Sequence, residues 1–394
     1  MAFPERFSNL PDYAFPRLRK LLHGMTPGGT EINMTIGEPR HPMPDFLDEV
    51  LAGATTGFAK YPPNDGAPFL LEAMADWVAR RFDVTVNPER EVLALNGTRE
   101  GLFNSCIALC PEVASNGEKP AVLLPNPFYQ VYAVAAMTVG AEPVYVPATE
   151  ASGFLPDFAS FDPDLLDRTQ IVYQCSPSNP QGAVASKDYL RGLLELAEKH
   201  DFTIFSDECY SEVYRDTPPL SALQVAREMG IDPNRVVIFH SLSKRSNLPG
   251  IRCGFASSGA ENIARMKQLR NYSGAPLPLP LQTVAAAVWQ DEAHVEQSRK
   301  MYHQKYQIAD EIFGDLPGYR SPEAGFFLWL PVEDAEKATT KLWQETGVKV
   351  LPGSYLSRSA NGTNPGDGYI RAALVTDIDD TRTGLTRLRS CLYR

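Results

Sequence analysis

Residues 236–255 read VVIFHSLSKRSNLPGIRCGF, an apolar run that passes abruptly into a polar and cationic segment. The first four residues, Val236 to Phe239, are β-branched or aromatic, which is typical of a buried strand. Lys244 and Arg252 follow close behind that strand. A solvated loop is the simple interpretation of a lysine in this position. A functional interpretation requires that other strands bring further polar residues to the same place.

Length and composition narrow the class of protein. The 394 residues exceed what one simple core organises, so two domains are expected. A net charge of −11 argues against a nucleic-acid partner, because phosphate backbones attract basic surfaces. The N-terminal residues lack the apolar core of a signal peptide, and no apolar run is long enough to span a bilayer. A cytoplasmic protein without membrane contact is therefore predicted.

The cysteines and histidines show no metal-site signature. Six cysteines in so long a chain do not resemble a disulfide framework. Cys106 and Cys110 are four residues apart in an apolar helical pattern, which favours core packing over metal binding. None of the six histidines shows zinc-site spacing, so no metal site is predicted.

Short apolar runs alternate with helical patterns between residues 70 and 255. Segments such as 187–200 carry an apolar face at helical spacing between two strand candidates. This alternation predicts an α/β fold, with a three-layer large domain in which helices cover both faces of a mainly parallel sheet. The strand candidates are residues 91–95, 121–124, 143–146, 171–175, 202–206 and 236–239.

The pattern becomes strongly helical from about residue 284. One long helix is predicted there, carrying the chain from the sheet domain into a smaller α+β domain. The strand candidates of that smaller domain are GFFLWL (325–330) and GYIRAALV (368–375).

Polar residues follow five of the predicted strands. In a parallel sheet the loops after the strands gather at one edge, where ligands bind. Polar side chains from five loops are therefore expected to lie close together. This convergence indicates a ligand site, whereas the polar residues of one loop would not. The residues are Thr98, Tyr129, Asn179, Asp207, Tyr210, Ser241, Ser243, Lys244 and Arg252.

Part of this set suits a phosphate group. Gly97, Thr98 and Arg99 open a predicted helix, whose first backbone N–H groups and dipole attract an anion. Hydroxyl groups and a fixed cation add further donors, from Ser241, Ser243 and Arg252.

The remaining members suit an aromatic aldehyde with a basic ring nitrogen. Asp207 ends an apolar strand, where it would be costly to bury unless paired with a cation such as a pyridinium. The ring of Tyr129 can stack on a flat heterocycle, and Asn179 and Tyr210 can donate to a phenolate oxygen. Lys244 can form a Schiff base with an aldehyde. Phosphate, ring nitrogen, phenolate and aldehyde together describe pyridoxal phosphate.

The chain resembles the class I/II aminotransferases, which are fold-type I pyridoxal-phosphate enzymes. Eight motifs in the same order carry the resemblance, and only NPQG, where the family usually shows NPTG, departs from the pattern. Four of the motifs are also similar to succinyldiaminopimelate aminotransferases of the bacterial lysine pathway. The motifs are IGEP (36–39), YPPNDGAP (61–68), NGTREGLF (96–103), NPFYQVY (126–132), SNPQG (178–182), SDECYSEVY (206–214), SLSKRSNLPGIRCGF (241–255) and IRAAL (370–374).

The resemblance implies an organisation and residue roles. It implies a large cofactor-binding domain at residues 45–290 and a small domain formed by residues 1–44 and 291–394. Lys244, Asp207 and Tyr210 are the implied catalytic residues, and Gly37, Asn179 and Arg371 are the implied substrate contacts. An unpaired Arg371 in an apolar strand would be expensive, which favours a bidentate grip on an α-carboxylate. Tyr61 is implied to reach the cofactor phosphate of a neighbouring subunit, so a homodimer with shared active sites is expected.

The predicted activity is transamination between glutamate and a keto acid, most specifically N-succinyl-2-amino-6-ketopimelate. An aspartate or aromatic aminotransferase of broad specificity, or a β-lyase on the same fold, remain alternatives. The succinylated substrate needs a cation beyond Arg371, and the candidates are Arg99, Arg245 and Arg40. Core packing is favoured over pocket lining for Phe326, Phe327 and Trp329.

Overall fold

A seven-stranded sheet forms the centre of the computed structural model, which describes residues 5–360 and 362–393. The strand order is β2-β8-β7-β6-β5-β3-β4, and only β8 runs antiparallel to its neighbours. The six predicted strands of this sheet are confirmed as β2 to β7. Their bounds are β2 Val92–Leu95, β3 Ala121–Asn126, β4 Glu142–Pro147, β5 Thr169–Cys175, β6 Thr203–Asp207 and β7 Val236–Ser241, with β8 at Gly254–Ser257.

Helices cover both faces of this sheet. Alternate residues of β7 enter different cores, because successive side chains of a strand point to opposite faces. Val236 and Ile238 join one core, and Val237 and Phe239 join the other. The three-layer α/β architecture predicted from the sequence is therefore correct. The helices in this part of the chain are α1 Ala14–Leu21, α2 Leu47–Ala54, α3 Pro68–Phe82, α4 Thr98–Leu109, α5 Gln130–Thr138, α6 Pro163–Asp167, α7 Lys187–His200, α8 Ala222–Met229, α9 Leu242–Arg245 and α10 Ala260–Arg270.

Two smaller sheets contain strands from both ends of the chain. The predicted strands near residues 327 and 370 pair antiparallel in the order β11-β12-β9, and β1 pairs parallel with β10. Their core is separate from the two cores of the large sheet. The domain boundaries at residues 44 and 290 stay a prediction. The strands are β1 Ile32–Asn33, β9 Phe327–Pro331, β10 Val348–Lys349, β11 Leu351–Pro352 and β12 Tyr369–Ala373. The remaining helices of the chain are α11 Leu279–Gln290, which packs into a core of the large sheet, and α12 Ala293–Phe313, α13 Ala335–Thr346 and α14 Ile378–Leu392.

The single long helix predicted from residue 284 is wrong, because the segment forms the two helices α11 and α12. Asp291 adopts an extended conformation between them, with φ −95° and ψ 131°. Its carboxylate accepts the backbone N–H of His294 at 3.1 Å. An aspartate side chain that bonds local backbone in this way competes with a continuous helix. Among the described residues, no helix combines the length and apolar character needed to cross a membrane.

Candidate active site

A cavity of about 460 Å³ lies at the edge of the large sheet where the parallel strands end. The predicted residues of five loops meet there, and Gly37 and Arg371 join them from outside the large sheet. Gly97 and Tyr61 are outside the lining. The predicted residues that line the cavity are Gly37, Thr98, Arg99, Tyr129, Asn179, Asp207, Tyr210, Ser241, Ser243, Lys244, Arg252 and Arg371.

Lys244 projects from the one-turn helix α9 that follows β7. The Ser241 hydroxyl oxygen accepts the N–H of Ser243 at 3.1 Å and so caps this turn, while the hydroxyl proton stays available to a ligand. The Lys244 amine donates to the carbonyl oxygen of Gly37 and lies 5.4 Å from the ring centre of Phe326. Burial lowers the pKa of Lys244 to about 8. The neutral, nucleophilic form of the amine is therefore far more accessible than in an exposed lysine.

Asp207 ends β6 with its carboxylate held by the protein. The Tyr132 hydroxyl donates to its Oδ2 at 2.6 Å, and the Cys209 N–H donates to Oδ1 at 3.3 Å. A turn and not a helix follows Asp207, so its carboxylate does not cap a helix. Tyr132 is buried and stacks on Tyr173 at 4.5 Å. Sequence reasoning missed Tyr132, although its spacing of three residues from Tyr129 was a usable signal.

Gly97 and Arg252 form a cradle beside the first turn of α4. Gly97 has φ +81°, and a Cβ there would lie 2.2 Å from Nη2 of Arg252. Arg252 itself adopts φ +57° and donates to the backbone oxygens of Pro249 at 2.8 Å and Asn96 at 3.3 Å. Because Gly97 has no side chain, the guanidinium of Arg252 can approach the N-terminal end of α4. Such a start carries free backbone N–H groups and favours anions.

Arg371 lies in β12 and is 4% exposed. Its Nη1 donates to Oδ1 of Asn179 at 2.9 Å and its Nη2 to the carbonyl oxygen of Thr35 at 2.7 Å. Its Nε is buried without a hydrogen-bond partner. Burial lowers the pKa of Arg371 to about 10, so the guanidinium stays charged at neutral pH. A buried cation with an unsatisfied donor is suited to an anionic ligand.

Arg99 and Tyr129 form a pair at the cavity wall. Nε of Arg99 donates to the Tyr129 hydroxyl oxygen at 2.8 Å, and this bond raises the pKa of Arg99. Burial raises the pKa of Tyr129, which therefore stays a neutral phenol. Within the described residues Arg99 forms no ion pair with a carboxylate.

The other two arginines considered for a second substrate carboxylate do not line the cavity. Arg245 is 3% exposed and donates to the carbonyls of Val288 and Asp291 and to the Glu292 carboxylate. These hydrogen-bond partners lie outside the cavity lining, and the role of Arg245 is structural. Arg40 is exposed.

Two aromatic predictions have mixed outcomes. Phe326, Phe327 and Trp329 are all buried, as the core interpretation requires, but Phe327 also lines the cavity. Its ring lies so close to Gly37 that a Cβ there would be 2.5 Å from Cζ. Tyr210 is buried against the rings of Phe326 and Phe327, and burial raises its pKa. Its phenol therefore acts as a neutral donor.

The donor set of the cavity fits pyridoxal phosphate. A glycine-dependent cradle with Arg252 suits the phosphate, and the buried carboxylate of Asp207 suits a protonated ring nitrogen. Lys244 is the only lysine among the described residues that line the cavity, and its amine can bind the cofactor aldehyde. Such a set at the carboxyl edge of a parallel sheet defines a pyridoxal-phosphate-dependent transferase of fold type I.

The particular family is shown by comparison with known proteins. Residues 30–383 match the family described as aminotransferase class I and II, and the chain belongs to that family. It is a pyridoxal-phosphate-dependent aminotransferase that acts on small amino and keto acids.

Similar proteins extend over the whole chain. The LL-diaminopimelate aminotransferase of Dehalococcoides mccartyi is 33% identical, and the alignment covers 98% of both chains. The LL-diaminopimelate aminotransferase of Desulforudis audaxviator is also 33% identical, and the alignment covers 100% of this chain and 99% of the relative. An aminotransferase structure from Neisseria meningitidis is 36% identical with a TM-score of 0.94, and it covers 100% of both chains. The structure of aminotransferase AspB from Helicobacter pylori is 32% identical with a TM-score of 0.89, covering 99% of both chains.

Proposed function

We propose that this aminotransferase exchanges an amino group between glutamate and a keto acid with a second, remote carboxylate, most specifically N-succinyl-2-amino-6-ketopimelate. The observation that carries the proposal is the number of uncompensated cations in one cavity. Arg99, Arg252 and Arg371 all line it, and none of the three forms an ion pair with a carboxylate in the described part of the chain.

The cofactor phosphate and the three carboxylates of the succinylated substrate are four anionic groups, and the three cations can bind three of them. Arg252 beside the first turn of α4 suits the cofactor phosphate, and Arg371 with Asn179 suits the α-carboxylate of the substrate. Arg99 is then left for a further anion. Arg99 is exposed and its Nε already donates to Tyr129, so it can bind a carboxylate that extends to the cavity wall by a charge-assisted hydrogen bond. A substrate with only one carboxylate would leave Arg99 unused.

The residues divide the chemistry between them. Pyridoxal phosphate, when bound, supplies the electron sink that stabilises negative charge at the substrate α-carbon. Asp207, fixed by Tyr132, holds a proton on the ring nitrogen of that group. The Nζ of Lys244, with its lowered pKa, accepts the proton of the α-carbon. Arg371 and Asn179 orient the α-carboxylate so that this proton points at the amine.

The names of the relatives support the diaminopimelate part of this proposal. Both curated relatives named above are LL-diaminopimelate aminotransferases, whose substrate has carboxylates at both ends. Those names favour unacylated LL-diaminopimelate as a second candidate substrate. As amino donors, N-succinyl-LL-diaminopimelate and LL-diaminopimelate differ only in the succinyl group on one nitrogen, which removes one ammonium charge and adds a third carboxylate.

A comparison of amino donors tests the proposal. We expect kcat/KM for N-succinyl-LL-diaminopimelate, with 2-oxoglutarate as acceptor, to exceed that for LL-diaminopimelate, aspartate and phenylalanine by about tenfold or more. A tenfold preference for LL-diaminopimelate would identify the second candidate instead. Preference for aspartate or phenylalanine would overturn the diaminopimelate assignment. Release of pyruvate and ammonia from an S-alkylcysteine, offered as a further donor with a β leaving group, would indicate a β-lyase.

An arginine variant tests the role given to Arg99. Arg99→Met should lower kcat/KM for the succinylated donor by about tenfold, because one charged contact is lost, and should leave kcat/KM for alanine within about twofold. Arg40→Met, which removes an exposed arginine outside the cavity, serves as the matched control. An equal loss for both donors in Arg99→Met would assign Arg99 to the cofactor and not to the second carboxylate.

A further inference from the structure

A buried ion pair lies directly behind the phosphate cradle. Arg270, at the end of α10, is 7% exposed, and its Nη1 lies 2.5 Å from Oε1 of Glu100. Glu100 belongs to the first turn of α4, and its Oε2 accepts the backbone N–H of Asn96 at 3.1 Å. Nη2 of the same arginine donates to Oδ1 of Asn96 at 3.0 Å. Arg270 and Glu100 thus hold the residue that immediately precedes Gly97.

The same guanidinium reaches a second loop. Nε of Arg270 donates to the backbone oxygen of Asn64 at 2.7 Å, and the side chain of Asn64 donates to Asn271 at 3.0 Å. Asn64 belongs to the loop that carries Tyr61. One buried arginine therefore fixes both the turn that opens the cradle and the loop proposed to reach a neighbouring cofactor.

The position of Glu100 presents an electrostatic problem for an anion site. A carboxylate in the first helical turn stabilises the helix, but it also repels a phosphate dianion bound at the same helix end. Arg270 neutralises this carboxylate. The carboxylate also lies close to Gly274, where a Cβ would be 2.8 Å from Oε1 of Glu100. Neither side chain lines the cavity.

We propose that Arg270 is a positioning residue for the cofactor phosphate, which acts by neutralising Glu100 and fixing the Asn96–Gly97 turn. Without Arg270, Glu100 is an unpaired negative charge beside the phosphate. The inference rests on the cofactor site and not on the substrate proposed above, so a different amino donor leaves it unchanged.

Cofactor binding by the cofactor-free full-length protein tests this role. Dissociation constants are measured by absorbance titration with pyridoxal phosphate and with pyridoxal, which lacks the phosphate. Arg270→Met should raise the constant for pyridoxal phosphate by about tenfold, from like-charge repulsion at short range, and leave that for pyridoxal within about twofold. A change of equal size for both ligands, or for neither, would overturn the proposal.

A second substitution separates charge from folding. In the double variant Arg270→Met with Glu100→Gln, the amide still accepts the Asn96 N–H, so affinity for pyridoxal phosphate should return to within about threefold of the parent. Glu100→Gln alone should bind pyridoxal phosphate within about threefold of the parent, and a tenfold loss there would contradict the repulsion argument. Arg235→Met is the control, because Arg235 pairs with Glu198 and Asp201 away from the cavity, and both constants should stay unchanged.

Discussion

The amine of Lys244 lies under the ring of Phe326 and donates to the carbonyl of Gly37. Burial removes water from the charged form, and the nearby Arg371 adds repulsion, so the proton is held less tightly than in a free lysine. The attraction of Asp207 and other neighbours acts in the opposite direction without cancelling burial. A single side chain is in this way prepared to act first as nucleophile and later as base.

A pH dependence follows from the pKa of about 8. Only the neutral amine attacks an aldehyde, so the fraction that reacts rises with pH and becomes complete above the pKa. The rate of capture of pyridoxal phosphate by the cofactor-free protein should therefore rise with a midpoint at about pH 8 and level off about one pH unit higher. Stopped-flow absorbance measures this rate. Lys244→Ala should show no covalent capture at any pH, and a profile still rising at pH 10 would indicate an ordinary, unshifted lysine.

Tyr132 and Arg245 show where residue-level inference from the sequence ends. Both lie inside motifs that the sequence identifies, yet the contacts of their side chains differ from those that their positions in the motifs predict. Tyr132 looks like a core aromatic, but its hydroxyl holds Asp207. Arg245 looks like a ligand beside Lys244, but it is buried against Val288 and Glu292. The direction of a side chain depends on its neighbours in space, which a single sequence does not contain.

At the scale of elements, the turn into α4 depends on one residue without a side chain. Gly97→Ala would place a Cβ 2.2 Å from Arg252 and force the left-handed backbone at φ +81° on a residue that rarely adopts it. We expect affinity for pyridoxal phosphate to fall by at least about tenfold, because Arg252 is displaced from the cradle. Absorbance titration of the cofactor-free variant measures the loss.

Gly117 offers a matched control for this substitution. It has a similar φ of +84°, but a Cβ there meets nothing within 4 Å. Gly117→Ala should cost about 1 kcal/mol of stability from backbone strain, seen as a lower melting temperature, with cofactor affinity unchanged. Equal affinity losses in the two variants would mean that strain, and not the contact with Arg252, weakens binding.

The strands of the large sheet were predictable, and the helix boundaries were not. Runs such as Val236–Phe239 are β-branched and apolar on both faces, which is a strong local signal for a buried parallel strand. The break between α11 and α12 depends on Asp291 bonding the backbone of His294, and an aspartate within a helical pattern gives only a weak signal. β8 was missed because GFAS is short and small, and its antiparallel pairing comes from its neighbours β2 and β7.

At the scale of the whole molecule, Tyr61 is fully exposed, with a relative accessibility of 101%. Tyr272 is 90% exposed. It follows Asn271, whose side chain accepts a hydrogen bond from Asn64 and so connects its loop to the loop of Tyr61. Phe58 and Met43 are also exposed, at 61% and 60%. Several large apolar side chains in solvent are typical of a surface that another chain covers. The homodimer with shared sites stays a proposal, and it would account for the exposure of side chains such as Tyr61.

A hybrid dimer tests whether the active sites are shared. If Tyr61 of one chain serves the cofactor phosphate of the other, a dimer of one Lys244→Ala chain and one Tyr61→Phe chain contains one site with both defects and one with neither. Co-expression with two different tags isolates this hybrid, and titration should find about half of its sites with the parent affinity for pyridoxal phosphate. The Tyr61→Phe homodimer should bind more weakly at every site, because each phosphate loses one hydroxyl donor. If Tyr61 acted within its own chain, the hybrid would contain no site of parent affinity with an intact lysine. A fully active monomer in sedimentation would contradict the shared site altogether.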